Sequence, residues 1–97
     1  MAHDHNRVTN NTERSRYELH VDGELAGVAD YRLGDDGVVV FPHTEIDGGR
    51  RGQGLGAELV QAALDDVRSQ GRTVDPRCWY VARFIDEHPD YAAMRAR

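Results

Sequence analysis

The feature that most constrains this chain is a dense run of glycines followed at once by an amphipathic pattern, RRGQGLGAELVQAALDDVRSQG. Apolar residues recur there with a period near 3.6, which predicts a helix with one buried face. They are Leu55, Leu59, Val60, Ala63, Leu64 and Val67. Directly before the glycines, VVVFPHTEI is an apolar run that turns polar at its end, as expected for a strand buried on both faces. The chain must therefore adopt a fold that contains a strand, a glycine turn and a helix in succession.

Antiparallel strands are predicted ahead of this unit. The segment SRYELHV alternates, which places Tyr17, Leu19 and Val21 on one face, and residues 22–23 supply a tight hairpin turn. The segment ELAGVADYRL predicts a second strand, and residues 35–37 predict a second turn. RVTNN is predicted as a short leading strand, and Pro42 predicts that ladder bonding is interrupted nearby.

The segments after the long helix complete an α+β fold. TVDPRC predicts a short strand that returns beside the buried one, as in a right-handed strand–helix–strand crossover. WYVARFIDE predicts a shorter helix that ends before Pro89. The expected architecture is an antiparallel meander, then the strand–helix–strand crossover, then a C-terminal helix. We expect residues 1–97 to form a single domain in which residues 1–7 are disordered.

Charge and composition exclude several classes of partner. The 12 basic and 17 acidic residues give a net charge of −5, which argues against nonspecific nucleic-acid or anionic-membrane binding. No run approaches the ~20 apolar residues of a membrane span, and the polar N-terminus lacks a signal-peptide centre. The single Cys78 cannot form an internal disulfide. We expect a cytoplasmic protein, a monomer or a weak dimer, that binds neither nucleic acid nor membrane.

The glycine turn has the chemistry of an anion site. The first turn of a helix carries unpaired N–H groups and a partial positive charge, and glycines let its backbone approach a phosphate closely. Arg50 and Arg51 can add charge-assisted hydrogen bonds. The turn is therefore suited to a phosphate or a diphosphate. A glycine-rich helix entry that binds nothing is the alternative.

Three phosphate motifs compete for this turn. A P-loop is excluded because all basic residues are Arg and the motif requires Lys. The dinucleotide fingerprint matches at Gly52, Gly54 and Ala57, but it belongs to parallel sheets, and here antiparallel hairpins come first. The pattern Arg/Gln-x-x-Gly-x-Gly/Ala is met by Arg51, Gly54 and Gly56, and it is the motif that we favour.

Longer segments carry a resemblance to a known family. HTEIDGGRRGQGLGAELVQAALDDVRSQG, followed by CWYVARFIDEHPDY, resembles the short single-domain GNAT-type N-acetyltransferases, and SRYELHVDGELAGVADYRL is similar to their opening hairpin. The resemblance covers roughly residues 8–94. It implies a truncated GNAT-like fold whose sheet splays open where the strand VVVFPHTEI meets the one that ends at Cys78. It also implies that acetyl-CoA or coenzyme A lies in that splay.

The resemblance further implies which residues hold the coenzyme. Its diphosphate would rest on the backbone of residues 51–56, and its pantetheine arm would pair with the main chain of residues 44–46. The implied cofactor-binding residues are Thr44, Glu45, Ile46, Arg50, Arg51, Gly52, Gln53, Gly54, Leu55 and Gly56.

Two side chains are candidate catalytic residues. The resemblance implies that Cys78 lies near the reactive end of the coenzyme, where it would protonate the departing thiolate or, less favoured, accept the acetyl group; a buried, inert cysteine is the alternative. His43 could take the proton of the amine, or it is a structural histidine at a strand end. Glu45 alternates onto the same face as His43 and could orient it or attract a cationic amine.

Other side chains are interpreted as structural. Trp79 and Tyr80 either wall the substrate mouth or, as we favour, pack in the core. The segment of His88, Pro89 and Tyr91 is interpreted as a helix stop. Asp65 and Asp66 are interpreted as part of a solvated helix face. His3, Asp4 and His5 are interpreted as a disordered terminus and not as a metal site.

The sequence leads to two functional hypotheses. The first is an N-acetyltransferase that moves acetyl from acetyl-CoA to a primary amine, of a small molecule or of a protein lysine. The second is a non-catalytic module that binds coenzyme A or acyl-CoA. No metal is expected in either case.

Overall fold

Five strands form one sheet in the order β1-β2-β3-β4-β5 in the computed structural model, which describes residues 5–96. The strands are β1 Asn6–Asn11, β2 Arg16–Val21, β3 Glu24–Leu33, β4 Val39–Ile46 and β5 Val74–Asp75. The helices are α1 Leu55–Ser69 and α2 Trp79–Glu87, with short 3₁₀ segments at Gly48–Arg50 and Pro89–Met94. The predicted α+β class and order of elements are confirmed. Neither helix in this part of the chain is long and apolar enough to cross a membrane.

Two local distortions shape the antiparallel part of the sheet. The β2–β3 hairpin turns through Asp22 and Gly23, which both have positive φ, as a tight two-residue turn requires. The β3–β4 register shifts at Tyr31, which faces two residues of β4 instead of one. The two residues opposite Tyr31 are Phe41 and Pro42. Pro42 has no N–H for the ladder, so the predicted interruption is confirmed.

The sheet opens between β4 and β5. The two strands run parallel but pair only at Val39–Val74 and Val40–Asp75. One further bond follows, from the Cys78 N–H to the Phe41 carbonyl at 2.8 Å. Beyond that bond the chain turns into α2, and no strand among residues 5–96 lies beside the remainder of β4 on this side. The backbone edge of β4 from residue 42 to residue 46 is thus free to bind a ligand.

A single apolar core lies between the sheet and α1. The six apolar positions predicted for the helix are all buried there, and Tyr17, Leu19, Ala29 and Phe41 face them from the strands. Alternate residues of β2, β3 and β4 point the other way, onto a face that we call the outer face. The outer face comprises Arg16, Glu18, Val28, Asp30, His43 and Glu45.

Asp65 and Asp66 do not form the solvated helix face that we expected. Both are half-buried, and each accepts a hydrogen bond of 2.7 Å from a buried tyrosine. Tyr17 of β2 donates to Asp66, and Tyr91 donates to Asp65. The two carboxylates therefore fasten the sheet and the C-terminal segment to α1.

The N-terminal expectation is wrong in part. Strand β1 begins at Asn6, so residues 6 and 7 are ordered, and the short leading strand is confirmed. His5 forms an ion pair with Asp22 at 2.9 Å. His3 and Asp4 lie outside the described residues.

The Tyr17–Asp66 contact predicts an alkaline loss of stability. Burial, and then the hydrogen bond to Asp66, raise the pKa of Tyr17 far above its usual value. A group with a raised folded-state pKa stabilises the fold fully below its unfolded pKa, here about 10, and this contribution is lost as the pH rises further. We expect the melting temperature to fall between about pH 9 and pH 11, and to fall less steeply in Tyr17→Phe.

The measurement is thermal unfolding followed by circular dichroism across this range. The chain has no lysine, so few other groups titrate there. Tyr31→Phe is the matched control, because the Tyr31 hydroxyl donates to the exposed Asn10. Equal slopes for the wild type and Tyr17→Phe would contradict the prediction.

Candidate functional site

A cleft of about 640 Å³ lies where β4 and β5 separate. It is bounded by the free half of β4, the glycine turn and the start of α2. Its lining comprises His43, Thr44, Glu45, Ile46, Arg50, Arg51, Gly52, Gly54, Leu55, Gly56, Cys78, Trp79 and Tyr80. Of the residues expected to bind coenzyme or to act in catalysis, Gln53 does not line the cleft. The others converge there from two segments more than 20 residues apart in sequence.

The glycine turn presents unpaired amides to this cleft. Gly52 and Gly54 have φ of 83° and 75°, and Gly54 is the N-cap of α1 without any side-chain cap. The first bond to the turn runs from the Glu58 N–H to the Gly54 carbonyl at 3.2 Å. Within residues 5–96, the N–H groups of Gly52 and of residues 54–56 donate no hydrogen bond to the protein. Because these donors lie at the positive end of the α1 dipole, the turn can bind an anion.

The two arginines of the turn differ in availability. The Arg50 guanidinium donates to Glu24 at 2.7 Å and lies 3.7 Å from a carboxylate oxygen of Asp47. Arg50 thus lines the cleft but is already paired, and it fastens the loop to the β2–β3 hairpin. Arg51 is exposed and has no polar side-chain partner within the described part of the chain. Arg51 is therefore the cation that can reach a bound phosphate.

Tyr80 closes the cleft beneath the helix start. A Cβ atom at Gly56 would overlap the Tyr80 hydroxyl, so only glycine permits this approach. Tyr80 is half-buried, whereas Trp79 beside it is 67% exposed. The core-packing interpretation is wrong for Trp79, which forms part of the cleft wall. Tyr80 packs against the core as expected and also lines the cleft. For Trp79, the position directly after Cys78 was the available signal.

The side chains of β4 point to opposite sides of the sheet. Thr44 and Ile46 point toward α1, and the Thr44 hydroxyl is buried without a hydrogen-bond partner among the described residues. His43 and Glu45 point to the outer face, where His43 Nε2 lies 3.1 Å from Glu45 Oε1. The expectation that these two side chains share one face is confirmed. Glu45 can therefore offer its main chain, but not its carboxylate, to a ligand on the α1 side.

Cys78 is the N-cap residue of α2 and is half-buried. Its backbone is fixed on both sides, since its N–H donates to Phe41 and its carbonyl accepts from Ala82 at 3.1 Å. Its side chain makes no capping hydrogen bond. The lining of the cleft thus includes the thiol residue Cys78 as well as the glycine turn.

Comparison with known proteins identifies the family. A sequence model described as GCN5-related N-acetyl-transferase matches residues 16–94. The chain belongs to this family. Among relatives of the chain, protein NATD1 of Bos taurus is 30% identical over 84 residues, which are 86% of this chain and 74% of that protein. NATD1 of Mus musculus and of Homo sapiens are each 29% identical over 84 residues, with 76% and 74% of those proteins covered.

The lining of the cleft fits acetyl-CoA, the cosubstrate that this family generally uses. Free amides and Arg51 match a diphosphate in charge and in hydrogen bonding. The free β4 edge matches the amide groups of a pantetheine arm, and the buried Thr44 hydroxyl lacks a partner that a ligand would supply. The donors and acceptors that this fold leaves unsatisfied are those that such a ligand would satisfy.

The C-terminal motif is structural in this GCN5-related N-acetyltransferase. The Tyr91 side chain is buried. His88 Nδ1 lies 2.7 Å from the Phe84 carbonyl, and the two rings stack with centroids 3.9 Å apart. The expectation that this segment ends the helix and packs over it is confirmed.

Proposed function

We propose that this protein transfers acetyl from acetyl-CoA to a primary amine. Family membership supports acetyltransferase chemistry in general. The observation that carries the proposal is one cleft whose lining includes the unpaired amides of Gly52 and residues 54–56 and also Cys78, with His43 at the β4 edge of that cleft. An anion site alone would need only the first of these.

Two ends of the cleft would fix the coenzyme. The amides of residues 51–56 and the Arg51 guanidinium hold the diphosphate, because both supply donors where negative charge lies. The main chain of residues 44–46 pairs with the pantetheine amides, in place of the strand that β4 lacks there. This orientation directs the thioester toward Cys78, where the acetyl group is delivered to the amine.

His43 would receive the proton that the amine must lose. The Glu45 carboxylate can only accept a hydrogen bond, so Nε2 of His43 carries the hydrogen in their contact. The Nδ1 lone pair of a neutral ring is then free to take a proton. Glu45 thus holds His43 in the tautomer that a general base requires.

Cys78 would supply a proton to the coenzyme sulfur as it leaves. Its position at the end of the cleft and at the start of α2 supports this role. Covalent transfer of the acetyl group to Cys78 Sγ is a second route. We favour direct transfer, because one step suffices when the amine and the acetyl group share the cleft.

A non-catalytic module that binds coenzyme A or acyl-CoA is the second candidate. Its support is the exposure of the proposed base pair, since the side chains of His43 and Glu45 are 55% and 67% exposed. A site that excludes water keeps bulk solvent from competing in the proton transfer, and this outer face is open. The glycine turn would serve both candidates equally.

Replacing His43 by Ala separates the two candidates. We expect kcat/KM for acetyl transfer to fall about 100-fold, with coenzyme A affinity unchanged, because a general base typically contributes that factor or more. The measurement is release of free coenzyme thiol in the presence of an amine. His20→Ala is the matched control, since His20 lies on β2 away from the cleft. Binding of coenzyme A without turnover by the wild type would favour the binding module.

A further inference from the structure

Asp30 is an anomaly on the outer face of the sheet. Within residues 5–96, it is the one charged side chain that is half-buried and has neither a hydrogen bond nor an ion pair. A carboxylate that is partly removed from water without a partner costs free energy. No contact inside the fold offsets that cost, so Asp30 is available to a cation from outside.

Both cross-strand neighbours of Asp30 are committed elsewhere. Arg16 lies opposite on β2, but its Nε donates to Glu18 at 2.7 Å. His43 lies opposite on β4, and its Nε2 is held by Glu45. Both cross-strand basic groups are therefore engaged by a carboxylate other than Asp30, Arg16 by Glu18 and His43 by Glu45.

Asp30 stands directly beside the proposed base. It is the register partner of His43, and directly opposed residues of an antiparallel pair have Cβ atoms about 5 Å apart on the same face. The β3–β4 bulge begins immediately after this pair, and bulges commonly aim side chains at active sites. An amine that meets His43 from the outer face would thus pass within reach of Asp30.

We propose that Asp30 binds a second positive charge on the acceptor, so that the substrate class is amines with another cationic group a few carbons away. This inference rests on the proposed acetyl transfer. The reacting amine gives its proton to His43 and forms the amide bond, while the thioester C–S bond breaks and coenzyme A leaves as the free thiol. The second group stays protonated and pairs with Asp30. Short aliphatic diamines carry two such charges, as does a lysine followed by a basic residue. Asp30 is then a specificity-determining residue and takes no part in the chemical step.

The test is a titration of the coenzyme A-saturated protein with 1,4-diaminobutane and with butylamine, followed by amide NMR. We expect the diamine to bind about tenfold more tightly than the monoamine and to shift the resonances of Asp30 and His43. In Asp30→Asn the two affinities should become equal. Asp35→Asn, which removes an exposed carboxylate from the β3–β4 turn, is the matched control and should keep the preference.

A second comparison tests whether the second positive charge belongs to a small molecule or to a protein. A blocked Lys-Arg dipeptide is compared with Lys-Gln, because a lysine beside a basic residue in a protein presents the same two charges. A preference for the doubly charged ligand that disappears in Asp30→Asn supports the inference in either comparison. The comparison in which it occurs identifies whether the acceptor is a small diamine or a protein lysine. Equal affinities in both comparisons for the wild type, or a preference that survives Asp30→Asn, would overturn the inference. Failure of coenzyme A to bind at all would instead refute the proposed function.

Discussion

Arg51→Glu combined with Gly54→Val is expected to weaken coenzyme A binding by about 100-fold or more. Each charge-assisted hydrogen bond contributes about 1.5–3 kcal/mol, and 1.4 kcal/mol is tenfold in affinity. The Glu side chain removes one such donor and repels the diphosphate. The Val side chain enters the open space beside the amides and strains a backbone with φ of 75°.

The fold should survive this double change. Arg51 is exposed, and nothing lies within 4 Å of a Cβ placed on Gly54. The strain of a valine at positive φ costs about 1–2 kcal/mol, which a domain of this size tolerates. Isothermal titration calorimetry gives the affinity, and thermal unfolding verifies the fold.

Arg14→Glu with Gly71→Val is the matched control. Arg14 lies in the exposed β1–β2 turn, and Gly71 has φ of 72° with open space around it at the other end of α1. This pair repeats the charge reversal and the backbone strain away from the cleft. We expect wild-type affinity for coenzyme A. An equal loss of affinity in both double variants would show that the loss comes from reduced stability of the fold and not from changes to the glycine turn.

Cys78→Ala is expected to lower the turnover number about 100-fold while coenzyme A affinity stays within about twofold of the wild type. A proton donor that acts on a leaving sulfur changes the chemical step and not the binding of the diphosphate. The Cys78 side chain makes no capping hydrogen bond, so alanine leaves the start of α2 intact. Steady-state kinetics and titration of coenzyme A measure the two quantities.

Mass spectrometry distinguishes the two routes through Cys78. Under denaturing conditions, an acetyl adduct on the wild type that is absent from Cys78→Ala would support covalent transfer. Turnover lost without any adduct supports proton donation. Unchanged turnover in Cys78→Ala would show that the thiol merely packs beside the cleft.

The sequence predicted the elements whose signals are local. The 3.6-residue period specified the buried face of α1 because burial of one stripe is a property of a single helix. Pro42 predicted the interruption of the ladder because the missing N–H is intrinsic to the residue. The glycine turn was predictable for the same reason, since positive φ at Gly52 and Gly54 is a preference of glycine itself.

The sequence could not predict the long-range partners. Arg50 was expected to bind coenzyme, but Glu24, 26 residues earlier, already pairs with it. Asp66 was expected in solvent, but Tyr17, 49 residues away, donates to it. A carboxylate on a helix face has the same local pattern whether it faces water or a buried hydroxyl. Only the tertiary fold decides between these environments.

The exposure of Trp79 has a similar cause. An aromatic residue in an amphipathic helix is usually buried, but Trp79 occupies the first position of α2, at the rim of the cleft. Whether that position is covered depends on how far β4 and β5 separate. That separation is set by the two-residue pairing of β5, which no local pattern encodes.

The most direct test of the anion site compares coenzyme A with pantetheine, which lacks the diphosphate, by amide NMR of the wild-type protein. Coenzyme A should shift the N–H resonances of residues 51–56 strongly, whereas pantetheine should leave them nearly unchanged and still affect residues 44–46. Unshifted amides at 51–56 with saturating coenzyme A would contradict the assignment of the glycine turn, and with it the acetyltransferase site.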